Sequence, residues 1–131
     1  MVLHLPALVA ALTVVLLAVL SWNVGRARDR YGVKAPATSG PPEFERAFRV
    51  QMNTLEGALM FLPSLWLFGH YVNPLWAGIL GFIWLVARAW YAVAYGAARN
   101  RSIPFGLAGA VTGVLLFGSL FFIVRAMLLQ S

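Results

Sequence analysis

An uninterrupted apolar run near the N-terminus places the strongest limit on how this chain can fold. Residues 3–24 contain no charged side chain, and His4 is their one titratable group. A helix of about 22 residues is about 33 Å long, which is enough to cross the hydrocarbon core of a bilayer. The run has neither a basic start nor a small-residue cleavage site, so it indicates a retained membrane span rather than a signal peptide.

Three further apolar runs follow, and they predict spans at about residues 43–69, 75–98 and 104–129. We therefore expect an all-α fold, a bundle of four transmembrane helices that forms a single domain over residues 1–131. A row of glycines in the fourth run, Gly106, Gly109 and Gly113, predicts close helix contact there.

Composition supports an integral membrane protein and excludes several functions. Hydrophobic residues make up 61% of the chain and charged residues 11%, against roughly 25% charged in soluble proteins. The chain has no cysteine, which excludes disulfides, thiolate metal sites and a cysteine nucleophile. A net charge of +6 could suggest nucleic acid, but the basic residues cluster between apolar runs, so we expect no nucleic-acid partner and no metal site.

The distribution of basic residues predicts an orientation. The segment between the second and third runs has no Lys or Arg, whereas the other two connecting segments hold Arg26, Arg28, Arg30 and Lys34, and Arg99 and Arg101, respectively. By the positive-inside rule, both basic segments are cytoplasmic and both termini lie outside. The Gly- and Pro-rich segment 25–42 is predicted to be an extramembrane loop. We expect a bacterial inner membrane, with the endoplasmic reticulum as the alternative.

Polar residues on the second predicted helix lie on one face. Arg49, Asn53 and Glu56 occupy positions i, i+4 and i+7. Arg46 extends this stripe toward the cytoplasmic end, whereas Gln51 points in another direction, toward an adjacent subunit if there is one. Charged residues at membrane depth usually face a bundle interior or an aqueous cavity.

A second polar stripe lies on the third predicted helix, where Arg88, Tyr91 and Tyr95 occupy positions i, i+3 and i+7. Together the two stripes offer guanidinium, carboxylate, amide and phenol groups, which suit a small zwitterionic or peptide-like ligand with several carboxylates. Two other interpretations stay open from the residues alone. The first stripe could be a network that fixes helix packing, and the tyrosines could be aromatic anchors at the membrane interface.

Three stretches resemble the MAPEG family, the membrane-associated proteins in eicosanoid and glutathione metabolism. They are "GPPEFERAFRVQMNTLE", "LPSLWLFG" and "ARAWYAVAYG", and they are most similar to the leukotriene C synthase and microsomal glutathione transferase-like branch. The resemblance implies a four-helix subunit in a homotrimer, with glutathione sites between subunits near the cytoplasmic face. It also implies a membrane-bound glutathione transferase that acts on lipophilic electrophiles from the bilayer and on lipid hydroperoxides.

The resemblance also implies roles for individual residues. Glutathione, as co-substrate, is held by residues of one subunit and of its neighbour, and the residues of the first subunit are Arg49, Asn53, Glu56, Tyr91 and Tyr95. Arg28 and Gln51 come from the adjacent subunit, Arg88 lies in the polar core below the site, and Arg101 activates the thiol. Direct alignment places Ser102 at that last position, so Arg101 takes the role through a small loop shift.

Gly57 departs from the pattern of the synthases, which carry an aromatic residue there, and one glutathione contact is therefore expected to be missing. A non-catalytic lipid-binding scaffold, a role known within the family, is the alternative function. A small four-span multidrug exporter is a third class. Such exporters use a lone glutamate in the first span, which is uncharged here.

Overall fold

The computed structural model describes residues 1–131 as four long helices without strands. A single 3-10 turn, Val2–His4, leads into α1, Leu5–Tyr31. The remaining helices are α2, Pro42–Tyr71, α3, Pro74–Gly96, and α4, Ser102–Gln130. The predicted all-α four-helix bundle is confirmed.

The first helix continues past Val24, where the apolar run ends, through the basic residues to Tyr31. Arg and Ala are good helix formers, so loss of apolarity does not end hydrogen bonding along the backbone. The helix stops at Gly32, whose φ of 67° is in the left-handed region that glycine adopts at low cost. The part of segment 25–42 that lies before Gly32 is therefore helical, and the prediction of a loop there is wrong.

Three of the helical segments, Val2–Tyr31, Pro74–Gly96 and Ser102–Gln130, are long and apolar enough to cross a membrane. The helix α2 is not among these three, and its charged side chains are Glu43, Glu45, Arg46, Arg49 and Glu56. That α2 also crosses the membrane is therefore still a prediction. A bundle in which successive helices alternate in direction requires this crossing.

The two middle helices form the centre of the bundle, because α2 and α3 each pack against α1, α4 and one another. The main core lies between them, where the rings of Phe61 and Trp84 stack with centroids 4.0 Å apart. Leu5 packs on Gly78 and Leu20 packs with Tyr91, so α1 and α3 run parallel. The basic C-terminal turn of α1 and the arginines that follow α3, Arg99 and Arg101, consequently lie at the same end of the molecule, which we call the basic end.

Close helix contact occurs at other glycines than those predicted. A Cβ added at Gly106, Gly109 or Gly113 would have no atom of another helix within 4 Å, so none of these glycines brings a neighbouring helix of the chain into close contact. The prediction for this face of α4 is wrong within the chain. Gly78 and Gly81 of α3 instead allow α1 to approach closely.

Candidate functional site

A polar cavity of about 260 Å³ lies at the basic end, against α2 and the segment that precedes it. Its wall holds Arg49, Asn53 and Glu56, and the spacing on the helix therefore does bring these three side chains to one cavity. The other lining residues are Thr38, Ser39, Glu45, Phe48 and Met52. Arg49 and Glu56 are exposed and Asn53 is half-buried, so the ionic groups are open to a ligand.

One hydrogen bond joins the two polar stripes. Nδ2 of Asn53 on α2 donates to the hydroxyl oxygen of Tyr91 on α3 over 2.9 Å. Tyr91 is 2% exposed and its ring centroid lies 5.6 Å from that of Tyr95. A buried tyrosine that accepts a hydrogen bond from a neighbouring helix is placed by the bundle, so an interfacial anchor is not a sufficient description of it.

Arg101 lies beside this tyrosine pair, at the N-terminal end of α4. Its Cζ is 4.2 Å from the ring centroid of Tyr95, which is the distance of a cation–π contact. The backbone N–H of Ser102 donates to Oδ1 of Asn100 over 2.9 Å, so this turn is fixed by a local side-chain bond. Of the two residues considered from the sequence, Arg101 is the one whose charge reaches the tyrosines.

Arg88 lies deeper, on the same helix as the tyrosines. It is 5% exposed, and its Nε and Nη1 have no hydrogen-bond partner. Its Cζ lies 5.2 Å from the ring centroid of Tyr91 and 5.7 Å from that of Phe105. The guanidinium therefore contacts aromatic faces and lacks a counter-ion inside the chain, which is a costly arrangement for a buried charge.

Gly57 gives the guanidinium of Arg88 its space. A Cβ at position 57 would overlap Nη2 of Arg88 and would lie 3.1 Å from its Cζ. Because glycine has no side chain, the guanidinium packs directly against the backbone of α2, one helical turn from Asn53. The sequence predicts that a glutathione contact is missing at position 57. In the structure, the guanidinium of Arg88 from α3 fills the space that a side chain at this position would take.

Arg28 and Gln51 do not line the cavity. Nη1 of Arg28 donates to the carbonyl oxygen of Ala37 over 2.7 Å, and its Cζ lies 5.1 Å from the ring centroid of Phe44. These contacts hold the segment after α1 against the start of α2. Gln51 is half-buried on the side of α2 away from the cavity. Their contribution to a site on a neighbouring subunit stays a prediction.

Sequence reasoning missed Thr38 and Ser39, which bring two hydroxyl groups to the cavity from the segment between α1 and α2. The end of this segment is held by a hydrogen bond from the N–H of Gly40 to Oε2 of Glu45, over 3.3 Å. Irregular backbone has no periodicity from which a side-chain direction can be read. The run of Ser, Gly and Pro after Thr38 signalled a loop, but not the cavity against which it folds.

The cavity wall therefore combines a guanidinium, a carboxylate, an amide and hydroxyls within a small volume. A guanidinium binds a carboxylate ligand in a fork, and a carboxylate accepts hydrogen bonds from an ammonium group. Such a wall can bind a small molecule that carries both charges. The same hydrogen bond between Asn53 and Tyr91 also stabilises helix packing, so the two roles coincide at this pair.

Comparison with known proteins gives consistent matches. The sequence profile of the MAPEG family matches residues 6–121. An uncharacterized protein of the cyanobacterium Synechocystis is 50% identical over 116 residues, 88% of this chain and 85% of its own length. Microsomal glutathione S-transferase 2 of Mus musculus is 42% identical over 83 residues, 63% of this chain and 56% of that protein. Leukotriene C4 synthase of Rattus norvegicus is 42% identical over 101 residues, 76% of this chain and 67% of that protein.

Proposed function

The chain belongs to the MAPEG family, and we propose that it is a membrane-bound glutathione transferase. The observation that carries the proposal is the polar wall at which Arg49, Asn53 and Glu56 meet and from which Asn53 reaches Tyr91. The wall offers partners for the opposite charges of glutathione. Relatives named as a glutathione transferase and as a leukotriene synthase support this ligand class.

In the proposed reaction, Arg49 binds a carboxylate of glutathione, Glu56 accepts from its ammonium group, and Asn53 binds its peptide backbone. Tyr91 and Tyr95 face the cysteinyl part, beside Arg101. A positive charge near the sulfur favours the thiolate, because it lowers the pKa of the thiol. The thiol proton passes to water, and the thiolate attacks an electrophilic carbon of a lipophilic substrate. A carbon–sulfur bond forms, the bond from that carbon to its leaving group breaks, and the leaving group departs with the electron pair. The protein supplies position and charge and no covalent nucleophile.

A peroxidase activity uses the same thiolate. It attacks the terminal oxygen of a lipid hydroperoxide, the O–O bond breaks, and the lipid alcohol leaves. A second glutathione then displaces the sulfenic oxygen as water, and glutathione disulfide is the product. Glutathione is the reductant, and neither reaction uses a metal.

We propose a homotrimer in which Arg28 and Gln51 of one subunit complete the site of the next. Large apolar side chains on α1, among them Leu8, Val15 and Val19, are exposed on the single chain. A second copy would cover part of this face and lipid would cover the rest. We place the protein in a bacterial inner membrane with the basic end in the cytoplasm, where glutathione enters.

Equilibrium binding of glutathione to the purified, detergent-solubilised protein tests the function, together with turnover of chlorodinitrobenzene. We expect binding and conjugation by the wild-type protein, and at least a tenfold weaker binding in Arg49→Ala and in Glu56→Ala, since each loses a charge-assisted bond. Arg125→Ala is the matched control, because this arginine is exposed on α4 and lines no part of the polar cavity. A wild-type protein that neither binds glutathione nor turns over a broad set of electrophiles would contradict the transferase proposal.

The alternative is a non-catalytic lipid-binding scaffold, and one observation favours it. Gly57 lacks the aromatic side chain that the synthases carry, and the guanidinium of Arg88 lies in its place, so one glutathione contact is missing. The two functions differ in turnover. A protein that binds glutathione but forms no conjugate and reduces no hydroperoxide would be the scaffold.

A further inference from the structure

The tyrosine pair has an arginine at each end. Cζ of Arg101 lies 4.2 Å from the ring centroid of Tyr95, and Cζ of Arg88 lies 5.2 Å from that of Tyr91. The first arginine is exposed at the start of α4 and the second is buried within the bundle. A sulfur atom placed beside the two rings would therefore be in the field of both charges.

Arg88 also lacks what a buried guanidinium normally has. Two of its three nitrogens, Nε and Nη1, are buried with no hydrogen-bond partner, and its neighbours are the rings of Trp84, Tyr91 and Phe105. A charge in this position is stabilised when an anion reaches it. The chain itself provides none there, which leaves this place open to the anion of a ligand.

The position of Nη2 relates Arg88 to the polar cavity. It packs against Gly57, the residue directly after Glu56 and one helical turn beyond Asn53. The guanidinium therefore lies beside the deep end of the stripe that lines the polar cavity. Any side chain larger than a hydrogen atom at position 57 would occupy this place and displace it.

We propose that Arg88 is a second anion-binding residue of this site, that Gly57 gives its guanidinium the room to reach it, and that the anion is the thiolate of glutathione. The inference rests on the proposed glutathione site. Arg49 and Glu56 serve the charged ends of glutathione at the open part of the cavity. They account for one carboxylate and the ammonium group, which leaves the second carboxylate and the sulfur. Of these two, the sulfur suits the aromatic surroundings of Arg88, because a thiolate is a large and weakly hydrated anion that costs less to desolvate than a carboxylate. No bond forms in this step, and the thiol proton passes to water at the open end.

The thiolate of bound glutathione has an ultraviolet absorbance that the thiol lacks, and a titration of this absorbance tests the proposal. We expect Arg88→Gln to lower the thiolate-to-thiol ratio of bound glutathione about tenfold, which corresponds to one pKa unit. Binding of S-methylglutathione, which has no ionisable sulfur, should change less than twofold. Arg101→Gln measured in parallel, and the double variant, separate the two charges.

A second variant tests the role of Gly57 without removing the charge. Gly57→Ala introduces a Cβ where Nη2 of Arg88 lies, and it should lower the thiolate-to-thiol ratio in the same direction as Arg88→Gln. Gly109→Ala is the matched control, because a Cβ there would meet no atom within 4 Å. Arg125→Gln is the control for the loss of an arginine charge away from the polar cavity, and it should leave the thiolate-to-thiol ratio unchanged.

The possible failures can be told apart. A wild-type protein that binds no glutathione would contradict the proposed function itself. A wild-type protein that binds it, with unchanged thiolate in both Arg88→Gln and Gly57→Ala, would overturn this inference and leave the transferase in place. Equal weakening of glutathione and S-methylglutathione would also overturn it, since Arg88 would then act on the bundle or on another part of the ligand.

Discussion

The hydrogen bond between Asn53 and Tyr91 is the one direct polar link between the two stripes, and it predicts a measurable cost of removal. In Tyr91→Phe the half-buried amide of Asn53 loses its acceptor, and the loss of such a hydrogen bond costs about 0.5–1.5 kcal/mol. We expect a lower midpoint of thermal unfolding in detergent. Tyr71→Phe is the control, because that tyrosine is exposed at the end of α2. A midpoint equal to that of the wild type would show that the bond does not stabilise the bundle.

Periodicity accounts for the part of the site that lies on helices. Because residues three and four apart share a face, the sequence predicts that Arg49, Asn53 and Glu56 lie together, and the structure places them at one cavity. The turn of Arg88 toward Gly57 is not predictable in this way. It depends on the distance between α2 and α3 and on the rotamer of a long side chain, and neither is encoded in spacing along one helix.

At the scale of the helix, the close contact between α1 and α3 at Gly81 should be sensitive to a larger side chain at this position. A Cβ there would lie 2.7 Å from Cγ1 of Val9, which is fully buried. Gly81→Leu should therefore overpack the interface and lower the free energy of unfolding by about 1–3 kcal/mol, measured in detergent by denaturant titration. Gly109→Leu should change it far less, because that position faces open space. Equal effects of the two substitutions would contradict this packing.

Helix ends show where hydropathy stops being informative. An apolar run shows which residues can lie within the membrane, whereas a helix ends where its backbone hydrogen bonds end. In α1 the apolar run ends before Gly25, but the helix continues to Tyr31. At the start of α3 the local signals agree with the fold. Oδ1 of Asn73 accepts from the N–H groups of Leu75 and Trp76, and Pro74 occupies the first turn. Caps are readable from sequence because they are local.

At the scale of the whole molecule, the basic end predicts the orientation in the membrane. The chain has no cysteine, so single cysteines can be introduced as reporters. Tyr71→Cys, between α2 and α3, should react with a membrane-impermeant maleimide added to intact spheroplasts, and Lys34→Cys, at the basic end, should react only after permeabilisation. Both sites are exposed on the chain. The opposite pattern would show that the basic end faces outward.

The proposed sharing of a site between subunits predicts rescue in mixed oligomers. Gln51→Ala removes a residue that we assign to the neighbouring subunit, and Glu56→Ala removes one from the subunit that holds the cavity. In a ring, each site combines one face of a subunit with the other face of the next. Random mixing of the two variants in equal amounts therefore leaves about a quarter of the sites with both residues intact.

Glutathione binding by co-expressed Gln51→Ala and Glu56→Ala should consequently return to about a quarter of the wild-type stoichiometry, whereas either variant alone binds weakly. Co-expression of Arg49→Ala with Glu56→Ala is the control. These two residues line the same cavity of one chain, so no mixed site regains both of them. Rescue in the first pair and not in the second requires a shared site. Absence of rescue in both pairs would contradict the shared site. It would mean that Gln51 and Glu56 belong to a site within one chain, because no chain in the mixture carries both residues.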